Sequence, residues 1–351
     1  MRLKAALFLI TMLGQFSPTA EAQAPTPAQR AVQMAEVFDG QALRVILCGT
    51  SSPLPDADRA KPCTVVIAGA NAWVVDTGPE SWETLALLNF PAARIKGVFL
   101  THFHSDHIGG LGEFRLQTLV AGRDFRLPVY GPQGVGDVVR GFNLAYASDD
   151  QHRFDHHGPG IIALKSAPLV ASEFGQSFRR KTDAEEIVLE ADGLKVTAFQ
   201  VDHDPVTPAV GYRFDYLGRS VTISGDTAKS ANLVENAKGS DVLIGESLAA
   251  NLIGIGAQQA SAGGNTRIAK ILTDIVDYHA TPVEMAEMAN GAGVGLLVYT
   301  HFVPSGPASL SPLYFAGVSA VREATQWVAG YDMLRIDLPK NSTEILVVDM
   351  Q

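Results

Sequence analysis

The segment from Thr101 to Gly110 holds the residues best suited to chemistry. It reads THFHSDHIGG, so His102, His104, His107 and Asp106 lie almost side by side. Zinc takes imidazole nitrogen and carboxylate oxygen, and a catalytic zinc site keeps one position open for water. A His-rich surface loop or a tag is the plainer interpretation. It is disfavoured because the motif is internal and follows an apolar run. The segment therefore predicts a metal site.

The surrounding sequence indicates how these side chains are positioned. Residues 97–100 predict a buried strand and residues 111–116 a helix, which places the ligands on a loop of a rigid scaffold. Other candidate site residues also follow predicted strands, 72–75, 195–201, 220–223 and 295–298. They are Asp76, His203, Asp226 and His301. Because residues of one site are spread this widely, we expect a single domain over 43–351.

The order of these motifs resembles the metallo-β-lactamase superfamily from residue 43 onward. The resemblance is carried by H-x-H-x-D-H after an apolar strand, followed by the later Asp and His positions. His279-Ala280-Thr281 before a helix, together with residues 206–214, is similar to the ribonuclease Z and phosphodiesterase branch. The resemblance implies an α/β fold, a four-layer αββα sandwich.

The same resemblance implies a ligand set and catalytic roles. His102, His104 and His203 would hold one zinc ion, and Asp106, His107 and His301 a second. Asp226 would bridge the two ions along with a hydroxide. Manganese or iron could replace zinc, since such sites accept them. The catalytic residues would be Asp106, which orients the hydroxide, and His279, which gives a proton to the leaving group. Asp76 would orient a ligand loop, and Glu246 would orient His279.

One departure from the branch concerns its substrate. Ribonuclease Z enzymes usually carry a long tRNA-gripping arm between the third metal histidine and the bridging aspartate. Here the interval from His203 to Asp226 is short, and residues 211–216 and 220–223 predict a hairpin that turns at 217–219. There is no room for the arm, which argues against a tRNA substrate.

The N-terminal residues predict a signal peptide over 1–22. Arg2 and Lys4 precede an apolar stretch at 5–13, and Ala20-Glu21-Ala22 matches a cleavage site. The apolar stretch is too short for a membrane anchor, so no membrane span is expected after processing. Residues 23–42 are Pro- and Ala-rich at their start and predict a flexible lead-in. We expect a secreted, periplasmic protein.

Net charge bears on the binding partners of the protein, and the two cysteines bear on a possible disulfide. The net charge of −10 disfavours long nucleic acid as a partner. The resemblance to the phosphodiesterase branch implies a small anionic ester as the substrate. Cys48 and Cys63 either form a disulfide, as an exported protein allows, or remain buried thiols. A homodimer is compatible with the sequence but nothing in it demonstrates one.

The rest of the chain predicts mixed strands and helices. We expect helices at 79–88, 134–147, 281–291 and 313–327, strands at 43–47, 63–68 and 72–75, and a final strand at 344–348. Segments 148–181, which include His156 and His157, and 251–266 are rich in turn or small residues and predict loops that overhang the site.

The function that best fits these features is an exported dinuclear-zinc hydrolase of a phosphodiester or similar small anionic ester. An arylsulfatase or lactonase-type esterase would use the same site, and a ribonuclease Z-like 3′-tRNA endonuclease is a further alternative. A non-catalytic zinc-binding protein fits least, because all seven ligand positions are filled.

Overall fold

The computed structural model describes residues 34–176, 178 and 183–351. The predicted signal peptide at 1–22 and the first part of the lead-in lie outside the described residues. The prediction of a flexible lead-in is wrong for its second part, because residues 34–37 are helical and Met34 and Val37 are buried. Three positions apart on one helical turn, these two apolar side chains face the core together. The folded chain therefore begins by Met34, and the first strand begins at Ala42.

Two sheets form the middle of the molecule. The first has eight strands in the order β15-β14-β1-β2-β3-β4-β5-β6, and the second has seven in the order β13-β12-β11-β10-β9-β8-β7. The strands are β1 (Ala42–Gly49), β2 (Cys63–Ala68), β3 (Asn71–Val75), β4 (Ile95–Phe99), β5 (Leu127–Gly131), β6 (Leu169–Glu173), β7 (Glu185–Ala191), β8 (Leu194–Gln200), β9 (Val210–Tyr216), β10 (Arg219–Ile223), β11 (Val242–Leu248), β12 (Leu296–Val303), β13 (Trp327–Ala329), β14 (Leu334–Pro339) and β15 (Leu346–Asp349).

Helices cover the outer face of each sheet. They are α1 (Ser81–Leu87), α2 (Ser105–Ile108), α3 (Leu111–Val120), α4 (Val135–His157), α5 (Ala231–Asn236), α6 (Ala250–Ala262), α7 (Thr266–Asp274), α8 (Pro282–Ala292) and α9 (Ser311–Tyr314). One apolar cluster fills the space between the sheets, a second lies between the first sheet and its helices, and a third between the second sheet and its helices. These layers confirm the αββα sandwich.

Strand direction explains why the site lies at one edge. β3 to β6 are parallel to one another, and so are β10 to β13. β8 runs in the same direction as β10, because both are antiparallel to β9. The carboxyl ends of β8, β10, β11 and β12 therefore lie together. The predicted hairpin is present as β9 and β10, and no inserted arm lies in the fully described interval 203–226.

Three predicted elements are wrong. Residues 148–157 continue α4 instead of forming a loop, and most of 251–266 is helical in α6. The predicted helix at 313–327 does not form. α9 ends at Tyr314 and is followed by short 3₁₀ turns, with Gly317 in the left-handed conformation at φ 92°. An α-helix cannot continue through such a residue.

Helix α8 formed as predicted, with Thr281 as its N-cap and a complete capping box with Glu284. The final strand is shifted to Leu346–Asp349. Among the described residues, no helix combines the length and the apolar character that crossing a bilayer requires.

Candidate active site

The structure brings together all seven predicted ligand residues and His279. These side chains form three overlapping groups, and within each group the possible ligand atoms lie within 4.8 Å of one another. We call His102, His104 and His203 the first triad, and Asp106, His107 and His301 the second triad. Asp226 joins the first triad in one group, and joins His279 and His301 in another.

Asp226 stands between the two triads. Its Oδ2 lies 3.8 Å from His102 Nε2 and 4.0 Å from His203 Nε2. The same oxygen is 3.3 Å from the Nε2 atoms of His107 and His301. One buried carboxylate oxygen therefore faces nitrogens of both triads, which is the arrangement that a bridging ligand requires.

The Asp76 carboxylate fixes the orientation of the His107 ring through its Nδ1 atom. Asp76 directly follows β3 with a positive φ of 58°, and its Oδ2 accepts a hydrogen bond of 2.8 Å from His107 Nδ1. Its two oxygens also accept hydrogen bonds from the Thr101 backbone N–H and hydroxyl, at 2.9 and 2.8 Å. With Nδ1 held by Asp76, His107 Nε2 is the ring nitrogen directed at the centre, where it could serve as a metal ligand. The sequence reasoning missed Thr101, although it directly precedes the motif.

A β-bulge in β12 orients the His301 side chain toward the site. In the β11–β12 pairing, Glu246 faces Thr300 and Ser247 faces Phe302, so His301 is the extra residue. His301 has a φ of 47°, which is uncommon for a residue with a Cβ. Such a bulge redirects a side chain. Here His301 Nε2 comes within 3.3 Å of Asp106 Oδ2.

Two other histidines are held through their Nδ1 atoms. His203 Nδ1 donates to the Tyr278 carbonyl at 2.8 Å, a contact that the sequence reasoning missed. His279 Nδ1 lies 3.0 Å from Glu246 Oε1, which also accepts hydrogen bonds from the Thr227 and Ala280 N–H groups. Glu246 is buried and in contact with His279, as expected of an orienting residue.

The two triads differ in electrostatics. Burial lowers the pKa of His203 to about 4, although the Asp226 charge opposes it. Burial likewise holds the pKa of His102 well below its usual value. For His107, burial acts in the same direction, but Asp226, Asp106 and Asp76 outweigh it and raise its pKa well above the usual value. The first triad is thus a set of neutral imidazoles, and the second is rich in carboxylate.

The donor set fits a metal. His107 Nε2 and His203 Nε2 are buried, and neither has a hydrogen-bond partner in the described structure. An unpaired buried nitrogen costs free energy unless something coordinates it. Imidazole nitrogens and carboxylate oxygens at this spacing suit a divalent cation such as zinc, which would displace a proton from His107 Nε2 on binding.

His156, His157 and the two cysteines were also singled out in the sequence, and none of them belongs to either triad. His156 and His157 are exposed at the end of α4, their rings in contact with each other and with no described ligand group around them. Cys48 and Cys63 form a disulfide with their Cα atoms 4.9 Å apart. Both are buried, and Cys63 lines a small cavity that Asp76, His107 and His301 also line.

The fold and this cluster of histidines and aspartates define a metal-dependent hydrolase. A family profile described as "Beta-lactamase superfamily domain" matches residues 71–302, and the chain belongs to that superfamily.

The chain is similar to ribonuclease Z. It is 33% identical over 302 residues to "Ribonuclease Z" of Mycobacterium bovis (strain BCG / Pasteur 1173P2), covering 84% of this chain and 98% of that protein. Among solved structures, human tRNase Z, short form, superposes with a TM-score of 0.58 at 19% identity over 84% of this chain and 99% of that one. A diphosphatase of the PhnP family gives 0.57 at 16% identity over 85% and 100%. These structural likenesses support the fold.

Proposed function

We propose that the protein is a two-metal phosphodiesterase that cleaves a small phosphodiester or a similar anionic ester. The observation that carries this proposal is the position of Asp226, whose Oδ2 lies within 4.0 Å of nitrogens from both triads. A carboxylate shared in this way suits two cations held side by side. Zinc is the metal that the imidazole-rich first triad favours.

The chain's own residues would divide the work. Two bound metals would lower the pKa of the attacking water and offset the charge that develops on the phosphoryl oxygens. Asp106 Oδ2 lies 3.3 and 3.5 Å from nitrogens of His301 and His107. Asp106 Oδ1 has no hydrogen-bond partner among the described residues, and it is available to orient that water.

His279 is placed to serve the leaving group. Its Nδ1 is held by Glu246, and its ring lies 5.2 Å from that of His203 and 5.5 Å from that of His301. Burial lowers its pKa, but the Glu246 charge and hydrogen bond outweigh burial and raise it. A protonated imidazole beside the two triads is a suitable proton donor for a departing alkoxide.

The test is hydrolysis of bis(p-nitrophenyl) phosphate by zinc-loaded protein. We expect turnover that Asp106→Ala abolishes and that Asp202→Ala, an exposed control beside His203, leaves intact. No turnover by protein that holds two metals would refute the phosphodiester assignment. Turnover of an aryl sulfate or a lactone by that protein would then identify the esterase alternative.

A second candidate is ribonuclease Z-like cleavage of RNA, which the similarity to ribonuclease Z favours. That similarity weakens the expectation, drawn from net charge, that long nucleic acid is a poor partner. The groove beside His203 argues in the other direction, since it is lined by Asp183, Glu185, Asp202, Asp204 and Glu235. Lys229, in the same groove, is paired with Glu287 at 2.5 Å. A polyanion would meet repulsion there.

Precursor tRNA offered to the same preparation separates the two candidates. Cleavage of the RNA at a rate above that of the small diester would favour the second candidate.

We also propose that the protein is exported after cleavage near residue 22. The Cys48–Cys63 bond supports this, because disulfides persist in oxidising compartments. Mass spectrometry of the mature N-terminus tests it.

A further inference from the structure

A disulfide-closed loop lies behind the second triad. We call residues 49–62 the disulfide loop, because Cys48 and Cys63 flank and join its two ends at a sequence separation of 15. Both cysteines are buried, at 0% and 2% exposure. The loop leaves β1 and returns to β2, and each of its ends is hydrogen-bonded to a different part of the site.

The first end supports His301. The Phe302 N–H donates to the Thr50 carbonyl at 3.0 Å, and Ser51 forms an isolated parallel bridge with Phe302. Phe302 directly follows the bulged His301. The conformation that aims His301 therefore depends on a neighbour that is paired to the loop.

The second end supports Asp106 and His107. The Gly78 N–H donates to the Pro62 carbonyl, and the Lys61 N–H to the Pro79 carbonyl, both at 3.0 Å. A Cβ added to Gly78 would stand 2.5 Å from both the Asp106 carbonyl oxygen and Lys61 Cβ, so these segments are in close contact. The adjacent Thr77 N–H donates to the His107 carbonyl at 2.7 Å.

The loop is itself anchored away from the metals. Asp332 accepts hydrogen bonds of 2.7 Å from the Thr50 hydroxyl and from the Ala60 N–H, one near each end of the loop. In contrast, no hydrogen bond between described residues joins the disulfide loop to His102, His104 or His203, or to a residue next to one of these three in the chain. The support is confined to one triad.

We propose that the Cys48–Cys63 disulfide and its loop are a positioning element for the second metal, selectively over the first. The inference rests on the proposed two-metal site. Because the loop contacts the segments that carry Asp106, His107 and His301, removing the bond loosens these three ligands together while the first triad keeps its geometry.

The test measures each metal's affinity by titration with a competing chelator, and metal content by mass spectrometry, in the full mature protein. For Cys48→Ala/Cys63→Ala we expect the dissociation constant of the second metal to rise by about tenfold or more. The first metal's constant should change by less than about threefold on the same scale. Two metals held as tightly as in wild type would overturn the inference.

Asp332→Ala is a second variant that keeps the disulfide, for use if the double variant does not fold. It should weaken the second metal in the same direction but less. Its matched control is Asp241→Ala, because Asp241 also accepts a backbone N–H, from Ser220 at 2.8 Å, but lies at the opposite end of β10 and β11 from the site. Equal effects of Asp332→Ala and Asp241→Ala would contradict selectivity. Wild-type protein with fewer than two metals would instead refute the proposed function.

Discussion

The two triads are held by different means. His203, in the first triad, is fixed by a backbone carbonyl, and His104 is only partly buried. In the second triad, His107 is fixed by the buried Asp76 carboxylate, and His301 by a bulge. The first triad is thus a set of neutral imidazoles, with His203 held by a backbone carbonyl, whereas the second is carboxylate-rich, with His107 held by a side-chain carboxylate. The difference teaches that the two proposed metal sites should respond separately to changes around them.

The change with the largest expected effect removes the residue that the triads share. Asp226→Ala should weaken both metals and lower the hydrolysis rate by at least about 10³-fold, because the shared carboxylate offsets the charge of two cations. Metal content and the rate on bis(p-nitrophenyl) phosphate check this. Asp202→Ala is the control. Retention of two metals by the Asp226 variant would show that the triads are independent.

The next largest effect is expected at His279, which lies beside both triads and is proposed as a proton donor, not as a metal ligand. His279→Ala should keep both metals and lose about 10²- to 10⁴-fold in kcat on a diester with an alkoxide leaving group. The loss should be smaller with p-nitrophenolate, which leaves without a proton. Equal losses on both substrates would argue for a ligand role.

The pH profile gives the same residue a second test. Because the pKa of His279 is raised, it stays protonated to higher pH, and activity should fall as pH rises through that pKa. Glu246→Gln removes the charge that raises the pKa, so the alkaline fall should move to lower pH. An unmoved profile would exclude His279 as the titrating group.

Asp76 contacts the second triad directly and the first triad only through the Thr101 hydroxyl, which lies 2.8 Å from Asp76 Oδ2 and 3.1 Å from His102 Nδ1. Asp76→Asn weakens the hydrogen bond that orients His107, and about 10- to 100-fold weaker binding of the second metal is expected. The first metal should be affected much less, because its link to Asp76 is indirect, and a chelator titration would reveal the difference. Asp204→Asn, an exposed change beside His203, serves as the control. Loss of the first metal in the Asp76 variant would contradict the separation of the triads.

The smallest expected effect lies outside both triads. Arg44 forms a two-pronged ion pair with Asp39, at 2.6 and 3.0 Å. The Arg44 hydrogen bond outweighs partial burial and lowers the pKa of Asp39. A carboxyl with a lowered pKa stabilises the fold above its unfolded-state pKa, and that contribution is lost as pH falls through the folded-state value.

Asp39→Asn should therefore reduce the free energy of unfolding by about 1 kcal/mol at neutral pH. The difference from wild type should disappear in acid. Denaturant unfolding at neutral and acidic pH measures it. Both metals should bind as in wild type, and a selective loss of the second metal would show that general loosening, not the disulfide loop, controls that site.

The local motifs were visible in the sequence. H-x-H-x-D-H, the later His and Asp positions after strands, and the capped helix at α8 depend on short-range spacing and hydrogen bonding, which the chain encodes within a few residues. Residues 148–157 and 251–262 were mistaken for loops, because their His-, Gly- and Ser-rich composition resembles that of turns. Residues 313–327 have helical spacing but are broken at Gly317.

Relations between distant segments were decided only by the tertiary structure. Cys48 and Cys63 left two alternatives open until β1 and β2 were paired, which brings their Cα atoms to 4.9 Å. The bulge at His301 exists only because β11 and β12 pair with a shift in register. The sequence by itself identified the candidate ligand residues, since ligand types and strand ends are local properties. The long-range strand pairing decided that Asp226 faces both triads and that the disulfide loop supports only one.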